Sequence, residues 1–191
     1  VTQRELFTAA TAEPIPGLRY TPDFLSVHEE ADLLRILTDL PFREAQYKEW
    51  HARRRIVSFG GRYDFAHQVL GEAPPIPAFL LGLRERVAGL AGTEPAAIRH
   101  AMVAEYSPGT PLGWHRDVPD FESVMGVSLL GRARLRFRAW PPKPNARAAF
   151  ALELAPRSAY VLAGEARWQW QHAVSPTKEL RYSITFRTPR S

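Results

Sequence analysis

Histidine, aspartate and arginine occur in this chain at spacings that chemistry can use. His115 and Asp117 are two residues apart in Trp114-His115-Arg116-Asp117, so on an extended backbone their side chains leave the same face. A neutral imidazole beside a carboxylate makes two thirds of the two-His-one-carboxylate set. That set grips one face of Fe(II) and leaves the remaining positions open for a cosubstrate and O2. The pair is equally at home as a surface salt bridge or in a solvated turn. A third ligand has to come from another strand, and His172 in Trp168-Gln169-Trp170-Gln171-His172 offers one. The competing reading there is a hydrogen-bonded histidine at the rim of the core. Arg181-Tyr182-Ser183-Ile184-Thr185-Phe186-Arg187 then alternates cleanly: Tyr182, Ile184 and Phe186 share one face, and Arg181, Ser183, Thr185 and Arg187 share the other. The polar face reads either as a solvated exterior or as a pocket wall. In a pocket, an arginine fork would hold one carboxylate of a dicarboxylate whose other end chelates the metal.

These residues need elements to position them. Leu18 and Tyr20 read as a short strand after the prolines at 14 and 16. Ser26-Val27-His28-Glu29 has the form of a capping box, opening a helix to about Leu40 that Pro41 ends. Residues 53–65 read as a strand and turn rich in arginine and aromatics, and a second helix follows over 78–90. From there on the pattern is short strands, at 102–106, 124–130, 133–137, 149–154, 159–162, 168–172 and 182–186. Pro108-Gly109 suits the centre of a type II turn just ahead of His115. Arg132, Arg134, Arg136 and Arg138 alternate with Ala133, Leu135 and Phe137, so that strand has a basic face. Helices first and many short strands afterwards predicts an α+β fold with a sandwich or barrel at the catalytic end.

Composition narrows the chemistry further. The chain has 191 residues and no Cys, which excludes disulfides, thiolate metal sites and a thiol nucleophile. It permits a reducing compartment, and the expected location is cytoplasmic. No stretch approaches the length needed to span a bilayer, and residues 1–10 lack an apolar signal core. The formal charge is +5, and only Lys48, Lys143 and Lys178 of the 25 cations are lysines. An arginine excess fits an anionic partner, or a GC-rich genome equally well.

Taken together, the motifs are more specific than any one of them. His115-x-Asp117, then His172, then Arg181-x-Ser183-x-Thr185-x-Arg187 resemble the AlkB family of Fe(II)/2-oxoglutarate dioxygenases. The resemblance covers about residues 50–188. It includes Tyr106-Ser107-Pro108-Gly109, Ala163-Gly164-Glu165-Ala166-Arg167 and Phe59-Gly60-Gly61-Arg62-Tyr63. It implies one domain over 1–191, with an N-terminal extension and substrate lid over about 1–95 and a catalytic double-stranded β-helix, or jelly roll, over about 96–190. It implies that His115, Asp117 and His172 hold Fe(II) and form the catalytic centre. Arg181 would pair with the remote carboxylate of 2-oxoglutarate, Tyr106 and Ser183 would hydrogen-bond the cosubstrate, and Arg187 would lie near Asp117. Two positions depart from the family pattern. Ala104 stands where the family has the Asn of an Asn-x-Tyr motif, and Ser183 stands where it often has Asn.

The resemblance also implies a substrate: DNA or RNA carrying N-alkylated bases, oxidatively dealkylated by O2 with release of formaldehyde, succinate and CO2. The expected partners are thus nucleic acids, with no membrane, and the chain is expected to act as a monomer. A nucleotide-recognition lid would occupy residues 42–70. There Arg53, Arg54, Arg55 and Arg62 could meet phosphates, while Phe59, Tyr63 and Phe65 could flank a base. The competing reading is a hydrophobic strand with a charged edge. Pro119 takes the place of the acid by which relatives often read the base, and Asp120 beside it is the candidate substitute. The same chemistry on a tRNA base or a protein side chain, or a silent binding module, are the alternatives.

Overall fold

The capping box forms as its sequence predicts. The Ser26 hydroxyl accepts from the Glu29 N–H at 3.2 Å, and the Glu29 carboxylate accepts from the Ser26 N–H at 2.7 Å. The computed structural model describes residues 14–47, 50–64, 69–71 and 73–190. In chain order its elements are β1 (Leu18–Thr21), α1 (Val27–Leu37), β2 (Arg43–Tyr47), β3 (Trp50–Phe59), β4 (Arg62–Asp64), β5 (Val69–Gly71) and α2 (Ala78–Ala91). Then follow β6 (His100–Tyr106), β7 (Leu112–His115), β8 (Phe121–Leu129), β9 (Ala133–Ala139), β10 (Phe150–Leu154), β11 (Ala159–Leu162), α3 (Gly164–Trp168), β12 (Trp170–Val174) and β13 (Arg181–Pro189).

The strands build two antiparallel sheets, ordered β1-β11-β8-β13-β6-β3-β2 and β10-β9-β12-β7, with β4 and β5 paired separately. The expected α+β class with a jelly-roll core is what forms. One core lies behind the large sheet, where Leu33 and Leu37 of α1 and Leu80, Leu83 and Val87 of α2 pack on Val103, Val127, Tyr182, Ile184 and Phe186. The other lies between the sheets, around Val124, Leu135, Phe137, Leu154, Leu162 and Val174. The β13 alternation therefore has a physical cause: its apolar face closes the helix-side core, and its polar face is left for the space between the sheets. No helix among the described residues is long and apolar enough to cross a membrane.

Three local details refine the expectations. Helix α1 stops at Leu37, because the Asp39 and Leu40 N–H groups bond only three residues back, each at 3.2 Å, tightening the chain into Pro41. Residues 164–168 form α3, so the strand bearing His172 begins at Trp170 instead of Trp168. The turn before β7 has Gly109 at φ +82 and a Thr110 N–H to Ser107 carbonyl bond of 3.0 Å, as a type II turn requires.

Candidate metal centre and its pocket

Between the sheets lies a cavity of about 840 Å³. Its floor is the inner face of the large sheet, and cross-strand register arranges that face in rows. Tyr106 is opposite Arg181, and Arg54 stands one step beyond the Arg55–Glu105 pair, beside Tyr106. The next row is Ile56, Ala104, Ser183 and Ser128, and after it come Ser58, Met102, Thr185 and Gly126, with Tyr160 opposite Gly126. The last row is His100, Arg187 and Val124. Leu135, Leu154, His172 and Val174 of the small sheet form the facing wall.

The candidate ligands meet on that wall. His115 on β7 is the register partner of His172 on β12, and their ring centroids are 4.3 Å apart. Asp117 follows β7, and its Oδ2 lies 3.5 Å from His172 Nε2. One ligand atom from each of the three falls within 4.8 Å of the others. His115 Nδ1 is 2.9 Å from the Gly113 carbonyl; donating there fixes the tautomer and frees Nε2 to bind a metal.

Neighbouring groups prepare this set electrostatically. Burial would raise the Asp117 carboxyl, but Arg187, His172, His115 and Arg167 outweigh it and hold the group well below the carboxylate range. Burial, with His115 second, lowers His172 to about 3, and burial also lowers His115. Two neutral imidazoles and one carboxylate at neutral pH are the donor set that Fe(II) takes. Arg187 Nε donates to Asp117 Oδ1 at 2.7 Å, and its Nη1 donates to His100 Nδ1 at 3.2 Å. His100 is buried and its pKa is lowered to about 3, by desolvation first and Arg187 second, so it stays a neutral acceptor.

The segment carrying Asp117 is latched from α3. Arg167 is 2 % exposed, and its Nη2 donates to the carbonyls of Asp117, Val118 and Phe121 at 3.1, 2.7 and 2.8 Å. At the far end of the floor Arg181, 1 % exposed, donates from Nε to the Ser128 hydroxyl at 3.0 Å. Its Nη1 is buried with no hydrogen-bond partner among the described residues. A buried guanidinium N–H without an acceptor is costly, and a carboxylate arriving in the cavity removes that cost. This donor fits the 2-oxoglutarate carboxylate expected there.

The cosubstrate residues expected from sequence, Tyr106, Arg181, Ser183 and Arg187, thus all line one floor. The substrate set does not stay together. Arg54 points into the cavity, whereas Arg55 pairs with Glu105 at 2.7 Å on the opposite face of the sheet, and Arg53 is exposed. Alternate residues of β3 face opposite ways, so three consecutive arginines cannot form one surface. Phe59 is 8 % exposed, packed in the helix-side core, and is not free to flank a base. Asp120 is not among the residues lining the cavity, and its carbonyl accepts from the Arg190 N–H at 2.7 Å. Arg62 and Tyr63 lie on β4, but their side chains, and all of Phe65, lie outside the described residues.

Several residues escaped the sequence reading. Ser128, Tyr160 and His100 enter the site only through register, and Arg167 figured only within the resemblance. Leu135 and Phe137 of β9 face the space between the sheets, so Arg136 and Arg138 of that strand face away from it; their guanidiniums sit 5.1 and 4.6 Å from the Trp114 ring centroid, and Arg116 lies 4.5 Å from that of Trp140. Interleaved Arg along β9 was the signal for this outward basic face.

Comparison with known proteins agrees with the geometry. Residues 17–187 match the 2OG-Fe(II) oxygenase superfamily. The chain is 29 % identical over 187 residues to an Arabidopsis thaliana protein named Alkylated DNA repair protein ALKBH8 homolog, covering 84 % of this chain and 51 % of that protein. It is 32 % identical over 99 residues to uncharacterized protein L905 of Acanthamoeba polyphaga mimivirus, covering 45 % of this chain and 46 % of that one. The chain spans about half the length of these curated relatives. A solved structure described as that of OsALKBH1 superposes with a TM-score of 0.74 at 17 % identity, covering 90 % of this chain and 96 % of that one. The jelly roll brings a His-Asp-His cluster to face a buried arginine, and the chain belongs to the 2OG-Fe(II) oxygenase superfamily, a family that implies Fe(II), 2-oxoglutarate and O2.

Proposed function

We propose that the chain oxidatively dealkylates N-alkylated bases in DNA or RNA. The observation that carries the nucleic-acid part is the cavity mouth. Trp114 and Trp140, each with an arginine guanidinium within 5.1 Å of its ring centroid, are among the residues lining the cavity that holds the metal cluster. Aromatic faces interleaved with cations suit bases and phosphates together. The Arabidopsis relative's name, which speaks of alkylated DNA repair, accords with this.

In this reading His115, Asp117 and His172 hold the iron, and Arg181, Tyr106 and Ser183 hold 2-oxoglutarate. Bound there, iron and O2 would supply an oxidation that divides the two oxygen atoms between succinate, formed from 2-oxoglutarate with loss of CO2, and the N-alkyl carbon, which for a methyl group would leave as formaldehyde and return the N–H. The chain's own residues do the positioning. Arg187 fixes which Asp117 oxygen is free for the metal, His115 presents Nε2, and Arg167 keeps the 117–121 segment in place. Leu135, Leu154 and Val174 line the wall with apolar surface that keeps water from the reacting carbon. Of residues 42–70, expected as the lid, β2 and β3 belong to the large sheet and put Arg54, Ile56 and Ser58 on the cavity floor, while Arg43, Arg53 and Arg55 are exposed cations among its described residues.

The test is succinate and formaldehyde release from a methylated oligonucleotide, dependent on Fe(II) and 2-oxoglutarate and abolished in His115→Ala. Turnover of 2-oxoglutarate to which no nucleic acid responds would remove the substrate assignment and leave the dioxygenase standing.

A further inference from the structure

The far end of the cavity carries more positive charge than one cosubstrate arginine accounts for. Four guanidiniums line the cavity, those of Arg54, Arg116, Arg181 and Arg187, and Asp117 is the one carboxylate among the lining residues. Asp117 is taken by Arg187, and Arg116 donates to the Trp168 carbonyl at 2.9 Å. Glu105 is near in sequence but on the other face of the sheet, where it holds Arg55 and the Tyr182 hydroxyl. That leaves Arg54 and Arg181 facing the cavity with no acid among its described lining residues but Asp117, which Arg187 holds.

These two flank one residue. Tyr106 lies between them in the same cross-strand row, and the Arg181 guanidinium sits 4.9 Å from its ring centroid. Each guanidinium also keeps a buried nitrogen without a hydrogen-bond partner among the described residues, Nε of Arg54 and Nη1 of Arg181. Burial would raise the Tyr106 phenol, yet the two cations outweigh it and hold it below its ordinary value. Two guanidiniums beside one neutral phenol carry a cost that an anion between or above them would relieve.

We propose that Arg54 is a specificity-determining residue of the cosubstrate site: with Arg181 it forms a two-guanidinium end, on either side of Tyr106, that demands a carboxylate at the far end of the keto acid. This assigns Arg54 to 2-oxoglutarate selection instead of to phosphate contact. It rests on the family's cosubstrate and is independent of the nucleic-acid substrate. A C5 keto acid without the second carboxylate, such as 2-oxovalerate, leaves both guanidiniums unpaired and is rejected.

The experiment measures binding of N-oxalylglycine, an unreactive 2-oxoglutarate mimic, to the Mn(II)-loaded protein by calorimetry. Wild type is compared with Arg54→Met, Arg54→Lys and Arg181→Met, with thermal unfolding confirming that each variant folds. Arg54→Met is expected to weaken binding about tenfold to a hundredfold, as loss of a charge-assisted hydrogen bond does. Arg54→Lys should recover part of that loss, and the preference for N-oxalylglycine over 2-oxovalerate should narrow in Arg54→Met. The phenol of Tyr106, followed by ultraviolet difference titration, should ionise at higher pH in Arg54→Met. Unmodified oligonucleotide binding should keep its salt dependence. Unchanged N-oxalylglycine affinity with a shallower salt dependence makes Arg54 a phosphate contact and overturns the proposal. Failure of wild type to bind N-oxalylglycine overturns it together with the cosubstrate assignment, and is distinguished by appearing before any substitution is made.

Discussion

Arg187 Nε stands 2.7 Å from Asp117 Oδ1, so the candidate iron carboxylate is oriented by a cation from the opposite sheet. The interaction ties the floor of the cavity to the metal wall. Removing the guanidinium leaves Asp117 free to rotate and loses a charge-assisted hydrogen bond. Arg187→Met is expected to lower metal affinity about tenfold to a hundredfold, read by Mn(II) titration. Unaltered affinity would mean that packing alone holds Asp117.

His100 gives a pH dependence with a definite sign. Its pKa is lowered from the ordinary 6.5 to about 3, so the unfolded chain takes up a proton that the folded chain refuses. Its contribution is intact above pH 6.5 and is lost progressively as pH falls from 6.5 toward 3, by up to about 1.4 kcal/mol per pH unit. Urea unfolding of the metal-free protein at pH 7 and pH 5 should show this slope. In His100→Phe the slope should be shallower by about one proton, and equal slopes would contradict the assignment.

Gly126 makes room for Tyr160. A Cβ at position 126 would lie 2.2 Å from the Tyr160 Cζ, and burial raises that phenol to about 12. Gly126→Ala therefore forces the ring out of a packed row. A loss of about 1–3 kcal/mol is expected for such overpacking, measured by denaturant unfolding. The double variant Gly126→Ala/Tyr160→Ala should recover part of it.

Arg167 holds three carbonyls of the segment that carries Asp117. Arg167→Met leaves them without their donor, at a cost of about 3 kcal/mol. Faster amide exchange confined to 117–121 is expected, with weaker metal binding; exchange spread over the whole chain would point to global destabilisation instead.

Trp114 is predicted to stack a base at the mouth. Trp114→Ala should weaken oligonucleotide binding by about 1–3 kcal/mol, measured by fluorescence anisotropy, while an N-alkylated mononucleoside loses much less.

What the sequence made legible follows from what one strand encodes. The period of two in 181–187 separates Tyr182, Ile184 and Phe186 from Arg181, Ser183 and Arg187, and both faces find their expected surroundings. The same rule, applied to β3, would have sent Arg54 away from Arg53 and Arg55; their adjacency suggested a single charged surface instead. Ser128, Tyr160 and His100 could not be found this way. They reach the site as cross-strand neighbours of Ser183, Gly126 and Arg187, and the register between distant strands is not written in either one. The capping box at Ser26 was legible because both of its partners lie within four residues. Arg167 was not, because its acceptors are backbone carbonyls that carry no side-chain signature.

The most direct test of the central reading is product stoichiometry. Wild-type protein with Fe(II), O2, 2-oxoglutarate and an oligonucleotide bearing an N-methylated base is predicted to release formaldehyde and succinate in equal amounts. The unmethylated oligonucleotide should give little succinate and no formaldehyde. Succinate formed at the same rate with either oligonucleotide, and formaldehyde with neither, would contradict the account.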